Sequence, residues 1–204
     1  RPAPTCPPTR SRGCTRGCPP DVLLVLDAAY REYVDAAGYD DGRALARDAH
    51  NVVVLGTFSK IMGLAALRLG WAYAPAAVAD VLNRVRGPFN VAAPAQVAGV
   101  AALRDVEHLA RAKAHNDRWR PWLEERLHEL GYATTASVAN FVLIRCGDVD
   151  AAERVLAVLE GGGVLARAMG AYGLAASVRL SVGREQENRH AIDLLAAARA
   201  ERVA

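Results

Sequence analysis

NVVVLGTFSK, residues 51–60, holds the decision about this fold: a short β-branched apolar run from Asn51 to Leu55, Gly56, then two hydroxyls and a lysine within four positions. Five residues are too few for a stable helix, and valine favours a pleated surface, so Asn51 to Leu55 reads as a strand ending at Gly56. The same grammar occurs upstream in DVLLVLD, residues 21–27, where a continuous apolar run from Val22 to Leu26 closes on Asp27. Such runs fit parallel strands covered on both faces, and a short helix over 43–50 would connect them. The class that follows is α/β.

Working outward, a further strand is expected at about 69–73. Pro75 then opens a helix to about Arg86, in the manner of a proline at the first helical position, and Gly87-Pro88 closes it. From Pro94 to about Leu130 the apolar residues recur at helical spacing with an interruption near Arg104-Asp105, which predicts two long helices. Beyond them, Phe141 to Arg145, Val164 to Arg167 and Val178 to Val182 read as strands, separated by helices over 149–160 and 185–202. This makes a second, smaller α/β domain over 131–204, joined by the linking helices of 94–130.

Residues 1–20 have a different character. They hold six of the ten prolines and four arginines with no acidic residue, too little apolar surface to order themselves, so a disordered, atypical tail is expected. The composition changes abruptly at Asp21, which motivates the expectation that the tail is out-of-frame or mis-started sequence. The rest of the 204 residues, 52% hydrophobic, can bury a real core. No apolar run reaches membrane-spanning length, and no secretory leader is visible, so a cytoplasmic protein is expected. With 25 basic and 22 acidic residues interspersed, the charge is too balanced for a nucleic-acid surface. Cys6, Cys14, Cys18 and Cys146 form no paired Cys-x-x-Cys pattern, so a metal site is not expected.

The chain has only two lysines, Lys60 and Lys113, and uses arginine elsewhere. An amine that can be deprotonated forms Schiff bases with carbonyl cofactors, which a guanidinium cannot. Around Lys60, the hydroxyls of Thr57 and Ser59 and the guanidinium of Arg68 are the donor types that converge on a phosphate. Asp27 ends a strand where ligands of open α/β sheets collect, and a carboxylate there can keep a pyridinium nitrogen protonated. Tyr30, three residues on, could donate its phenol hydrogen bond to a ring oxygen. Taken singly, each residue has a bland reading: a turn aspartate, a solvated Ser-Lys pair, an ion-paired arginine. Their joint order and spacing favour the functional one. The histidines at 50, 108, 115, 128 and 190 show no ligand spacing and read as surface residues.

LDAAYREY at 26–33 and TFSKIMGLAALRLGW at 57–71 resemble the aspartate-x-x-tyrosine and Ser-Lys signatures of the fold-type-I aminotransferases. RGPFNVAAPAQ at 86–96, SVANFVLI at 137–144, Tyr172-Gly173-Leu174 and VRLSVG at 178–183 narrow the resemblance to the histidinol-phosphate aminotransferases. It covers residues 21–204. The resemblance implies a fold-type-I architecture with a mainly parallel sheet, residues 21–93 being the remaining half of the large domain that binds pyridoxal 5'-phosphate. It implies Lys60 as Schiff-base lysine and proton shuttle, Asp27 on the pyridine nitrogen and Tyr30 on the ring oxygen. Thr57, Ser59 and Arg68 would hold the cofactor phosphate, with Arg179 and Arg167 binding the substrate anion. The implied reaction is ping-pong transamination of L-histidinol phosphate with 2-oxoglutarate in histidine biosynthesis by a homodimer. An inactive fragment without cofactor, an aromatic aminotransferase and a phosphothreonine decarboxylase relative stay open as alternatives. Ala28, Met62 and Ala66 stand where the family favours glutamate, an aromatic residue and glycine, and the family's first half of the large domain has no counterpart here.

Overall fold

Strands β1 (Leu24–Asp27) and β2 (Val52–Thr57) lie side by side and parallel, in register from Leu24 opposite Val52 to Asp27 opposite Leu55. The computed structural model describes Pro19 and residues 21–200. The tail expected over 1–20, Pro19 apart, lies outside the described residues. Between the strands runs helix α1 (Arg43–Asp48), entered through Gly42 at φ 83, where a Cβ would also drive into the Leu26 side chain. Ala46 of α1 packs with Ala28, Val52 and Val54 into a small core, flanked by the half-buried Leu24 and Leu26.

Both faces of β1 were expected to be covered, and the structure corrects this. Val25 is 48% exposed while its partner Val53 in the central strand is buried. Cover on a strand face depends on how many layers pack against it rather than on residue type, and the Val25 face of β1 is half open among the described residues. β2 is also longer than its apolar run: Gly56 lies inside it, opposite Trp71 of β3 (Gly70–Tyr73). β3 runs antiparallel to β2, so one pairing in this three-stranded sheet is parallel and the other antiparallel. Residues 58–69 contain a single 3-10 turn (Ala65–Leu67) and no crossover helix, and such a connection returns the chain antiparallel.

Helix α2 (Ala76–Val85) follows, with Pro75 as its N-cap rather than its first helical residue. The two long helices are α3 (Ala93–Arg104) and α4 (Val106–Glu129), broken at Asp105. The Asp105 carboxylate accepts the backbone N–H of His108 at 2.9 Å, capping α4 as α3 ends. The chain divides into two compact units between Lys113 and Ala114, inside α4 and within the stretch expected to link two domains.

In the C-terminal unit, β4 (Ala133–Thr135), β5 (Phe141–Arg145), β6 (Arg167–Ala168) and β7 (Ser177–Ser181) form a sheet ordered β4-β5-β7-β6, antiparallel throughout. β6 starts later than the expected Val164. Gly163, at φ 80, closes the end of α5 (Val149–Gly161), and the Val164 N–H is spent on the Leu159 carbonyl. Helices α5 and α6 (Glu185–Ala200) and the later turns of α4 cover one face of the sheet. Leu123, Leu127, Val142, Ile144, Leu159, Val178 and Leu195 are fully or almost fully buried there. Alternation along β7 puts Val178 and Leu180 in this core and turns Arg179 to the other face.

Candidate functional site

Asp27 and Thr57 terminate the two parallel strands at the same end of the N-terminal sheet, where β3 begins. Thr57 pairs with Gly70, and the ladder continues past the strand through the Phe58 N–H to the Leu69 carbonyl at 3.1 Å. Carrying the same count one residue further sets Ser59 across from Arg68. Asp27, Tyr30, Thr57, Ser59, Lys60 and Arg68 therefore share one end of one sheet, the C-terminal end of its parallel pair.

Local hydrogen bonds explain why residues 57–64 hold their shape. The Thr57 hydroxyl accepts the Ser59 N–H at 3.0 Å and reaches the Leu69 carbonyl at 3.4 Å. The Gly63 N–H closes on the Lys60 carbonyl at 2.9 Å and the Leu64 N–H on the Phe58 carbonyl at 3.0 Å. Phe58 and Ile61 are buried beneath, so a half-buried Lys60 is presented from a firm base. Its Nζ lies 5.0 Å from the centre of the Tyr30 ring. No carboxylate pairs with it among the described residues, whereas Lys113 is ion-paired with Asp35.

Asp27 is exposed and accepts the Ala29 N–H at 3.0 Å, so its carboxylate shapes the turn that leads to Tyr30. That turn is anchored from outside by Arg31. Its guanidinium sits 4.9 Å over the Trp71 ring and is ion-paired with Glu32 at 2.9 Å and Asp41 at 3.1 Å. Trp71 in turn lies flat where a Cβ on Gly56 would be. Sequence reading did not single out Arg31, Gly56 or Trp71, because nothing local in YREY or LGT announces a stack between segments. Ala28 is buried in the small core, and a longer side chain there would have to leave it.

Arg68 stands apart from the rest in one respect. It is exposed, adopts φ 53, and donates to the Ala65 carbonyl at 2.6 Å, so its own turn holds the guanidinium. Among the histidines, His108 departs from the surface expectation: it is half-buried and its Nε2 lies 3.0 Å from the Ile61 carbonyl.

In the C-terminal unit, Arg167 and Arg179 are direct cross-strand partners on β6 and β7. Their side chains rise from the same face, on the side of the sheet away from the helices. The Arg179 guanidinium lies 5.1 Å over the Phe141 ring, and its Nε is buried without a hydrogen-bond acceptor among the described residues. Arg167, exposed, donates to the Tyr172 hydroxyl at 2.9 Å. Two like charges thus lie directly opposite each other, one of them with a buried donor that has no acceptor among the described residues.

Comparison with known proteins gives a consistent picture. The chain is 46% identical over 188 residues to a histidinol-phosphate aminotransferase of Paramagnetospirillum magneticum, covering 90% of this chain and 51% of that protein. It is 49% identical over 180 residues to one of Rhodospirillum centenum, covering 88% and 50%. Among solved structures, histidinol-phosphate aminotransferase from Sinorhizobium meliloti in complex with pyridoxal-5'-phosphate superposes with a TM-score of 0.84 at 28% identity, over 96% of this chain and 52% of that one. The chain thus spans about half the length of the curated relatives it matches. Its architecture is that of the fold-type-I pyridoxal-phosphate transferases, with part of a large domain present. The family description "Aminotransferase class I and II" matches residues 20–195, and the chain belongs to that family.

Proposed function

We propose that this chain carries the lysine-bearing part of a pyridoxal-phosphate-dependent transaminase acting on L-histidinol phosphate with 2-oxoglutarate. The observation that carries the reading is Lys60: its amine lies over the Tyr30 ring with no carboxylate partner among the described residues, at the strand end that also holds Asp27. The names of the relatives support the substrate.

The donor set fits pyridoxal phosphate. It offers a lysine with no carboxylate partner among the described residues, an exposed carboxylate, two hydroxyls and a guanidinium, at one sheet end. When bound, the cofactor supplies an aldehyde that takes up an amine and a ring that draws electrons from the substrate carbon. Lys60 would hold that aldehyde through its amine, and the same amine would serve as the base that moves a proton. Asp27 would keep the ring nitrogen protonated, Tyr30 would donate to the ring oxygen, and Thr57, Ser59 and Arg68 would hold the phosphate. Arg179 and Arg167 take the substrate's phosphate or carboxylate.

This function belongs to a cytoplasmic enzyme that works as a homodimer. No helix among the described residues is long and apolar enough to cross a membrane. A second reading, in which this stretch alone binds no cofactor, is favoured by one observation: Val22, Leu23 and Val25 at the sheet edge are each nearly half exposed. An amino-donor and keto-acid screen on the purified chain with added pyridoxal phosphate separates the two. Turnover of histidinol phosphate above that of aromatic amino acids supports the proposal. A cofactor that never changes its absorbance in the protein's presence supports the second reading.

A further inference from the structure

The ring of His108 reaches the segment bearing Lys60. Its imidazole Nε2 lies 3.0 Å from the Ile61 carbonyl, across 47 residues of sequence. A carbonyl oxygen only accepts, so Nε2 carries the proton and donates. Two features fix the ring where it is needed. His108 occupies the first turn of α4, where the Asp105 carboxylate takes its backbone N–H at 2.9 Å and sets the helix start. Just before it, α3 lies against the same segment: a Cβ on Gly99 would meet the Leu69 side chain and then Phe58. The 58–69 segment is therefore braced from α3 by contact and from α4 by a hydrogen bond.

The bond falls on the residue after Lys60. The Lys60 carbonyl is already held by Gly63 N–H, and the Ile61 side chain is buried. Without His108, the Ile61 carbonyl would lose its partner, and the peptide between 61 and 62 would be free to rotate, carrying the Lys60 backbone with it.

We propose that His108 is a positioning residue for Lys60, fixing the lysine-bearing turn by donating from Nε2 to the Ile61 carbonyl. The proposal rests on the reading of Lys60 as the cofactor lysine, and its test separates the two. Amide hydrogen exchange is followed at Gly63 and Leu64, whose N–H groups close the turn, and at Val53 and Val54 of β2 as controls. Wild type, His108→Ala, His108→Asn and His108→Gln are compared, each also titrated with pyridoxal 5'-phosphate by absorbance. Glutamine places an N–H about where Nε2 lies, whereas asparagine is too short.

In the alanine and asparagine variants, exchange at Gly63 and Leu64 should rise about five- to tenfold with the β2 amides unchanged, as expected for a lost hydrogen bond to a closed turn. The cofactor dissociation constant should rise by a similar factor. His108→Gln should restore both to within about twofold of wild type. Unchanged exchange at Gly63 and Leu64 in His108→Ala would overturn the proposal, as would a glutamine variant as loose as the alanine one. If wild type shows no cofactor binding, the reading of Lys60 falls while the exchange data still decide what His108 does.

Discussion

Arg179 shows how much a single side chain can say. Its Nε is buried without an acceptor among the described residues, and its cross-strand neighbour is Arg167, an arrangement of like charges that costs stability. Arg179→Lys keeps the charge but loses the planar fork. The substitution should raise KM for the acidic substrate about 10- to 100-fold, the loss expected for a charge-assisted hydrogen bond, with a smaller effect on kcat. Steady-state kinetics with histidinol phosphate check this. Equal losses for acidic and neutral amino donors would remove Arg179 from the substrate site. Sequence placed both arginines as candidates, but their pairing depends on the register of β6 with β7, and β6 begins only at Arg167.

Tyr33 supplies a second prediction at this scale. Burial, followed by its neighbours Tyr30 and Glu32, pushes its phenol up from the ordinary 10 to about 12. The folded chain keeps that proton where the unfolded chain gives it up. Stability is therefore unaffected below about pH 10 and falls as pH rises from there toward 12. Urea midpoints measured across that window should fall less steeply for Tyr33→Phe than for wild type, and identical slopes would contradict the assignment.

At the scale of elements, β2 and its neighbours show where local pattern suffices. The runs at 22–26 and 51–55 announced strands because β-branched and aliphatic residues fit a pleat, and the parallel pair followed. What the pattern could not carry was the role of Gly56. It reads as the glycine that stops a strand, yet it sits inside β2 because the Trp71 ring lies over it, and Trp71 belongs to a different strand. Gly56→Ala must move that ring and with it the Arg31 stack that anchors the Asp27–Tyr30 turn. A cost of about 1–3 kcal/mol in urea denaturation is expected for such overpacking, with weaker cofactor binding in parallel. A neutral substitution would mean that Trp71 does not hold the turn. His108 was unreadable for a related reason: its partner is 47 residues away, and an amphipathic helix pattern marks its start but not what its first turn touches.

Across the whole molecule, the two units differ in how much they bury. Among the described residues, the core cluster of the C-terminal unit holds twelve buried residues and that of the N-terminal sheet four. Apolar burial is the main source of stability, so the sheet holding Lys60 is the weaker unit. Native-state hydrogen exchange should find β1 and β2 amides opening at lower denaturant than those of β5 and β7, and the reverse order would contradict this. Fold class was legible because each unit's elements are local, whereas the open edge at Val25 was not, since a run of apolar residues does not say how many layers cover it.

Whether the amine of Lys60 carries the cofactor is decided by trapping it there. The purified chain is incubated with pyridoxal 5'-phosphate, reduced with borohydride and digested, and the two lysine-bearing peptides are compared by mass. A stoichiometric pyridoxyl adduct is expected on Lys60, none on the Asp35-paired Lys113, with loss of the adduct in Lys60→Arg. Label divided equally between the two lysines, or retained in Lys60→Arg, would contradict it.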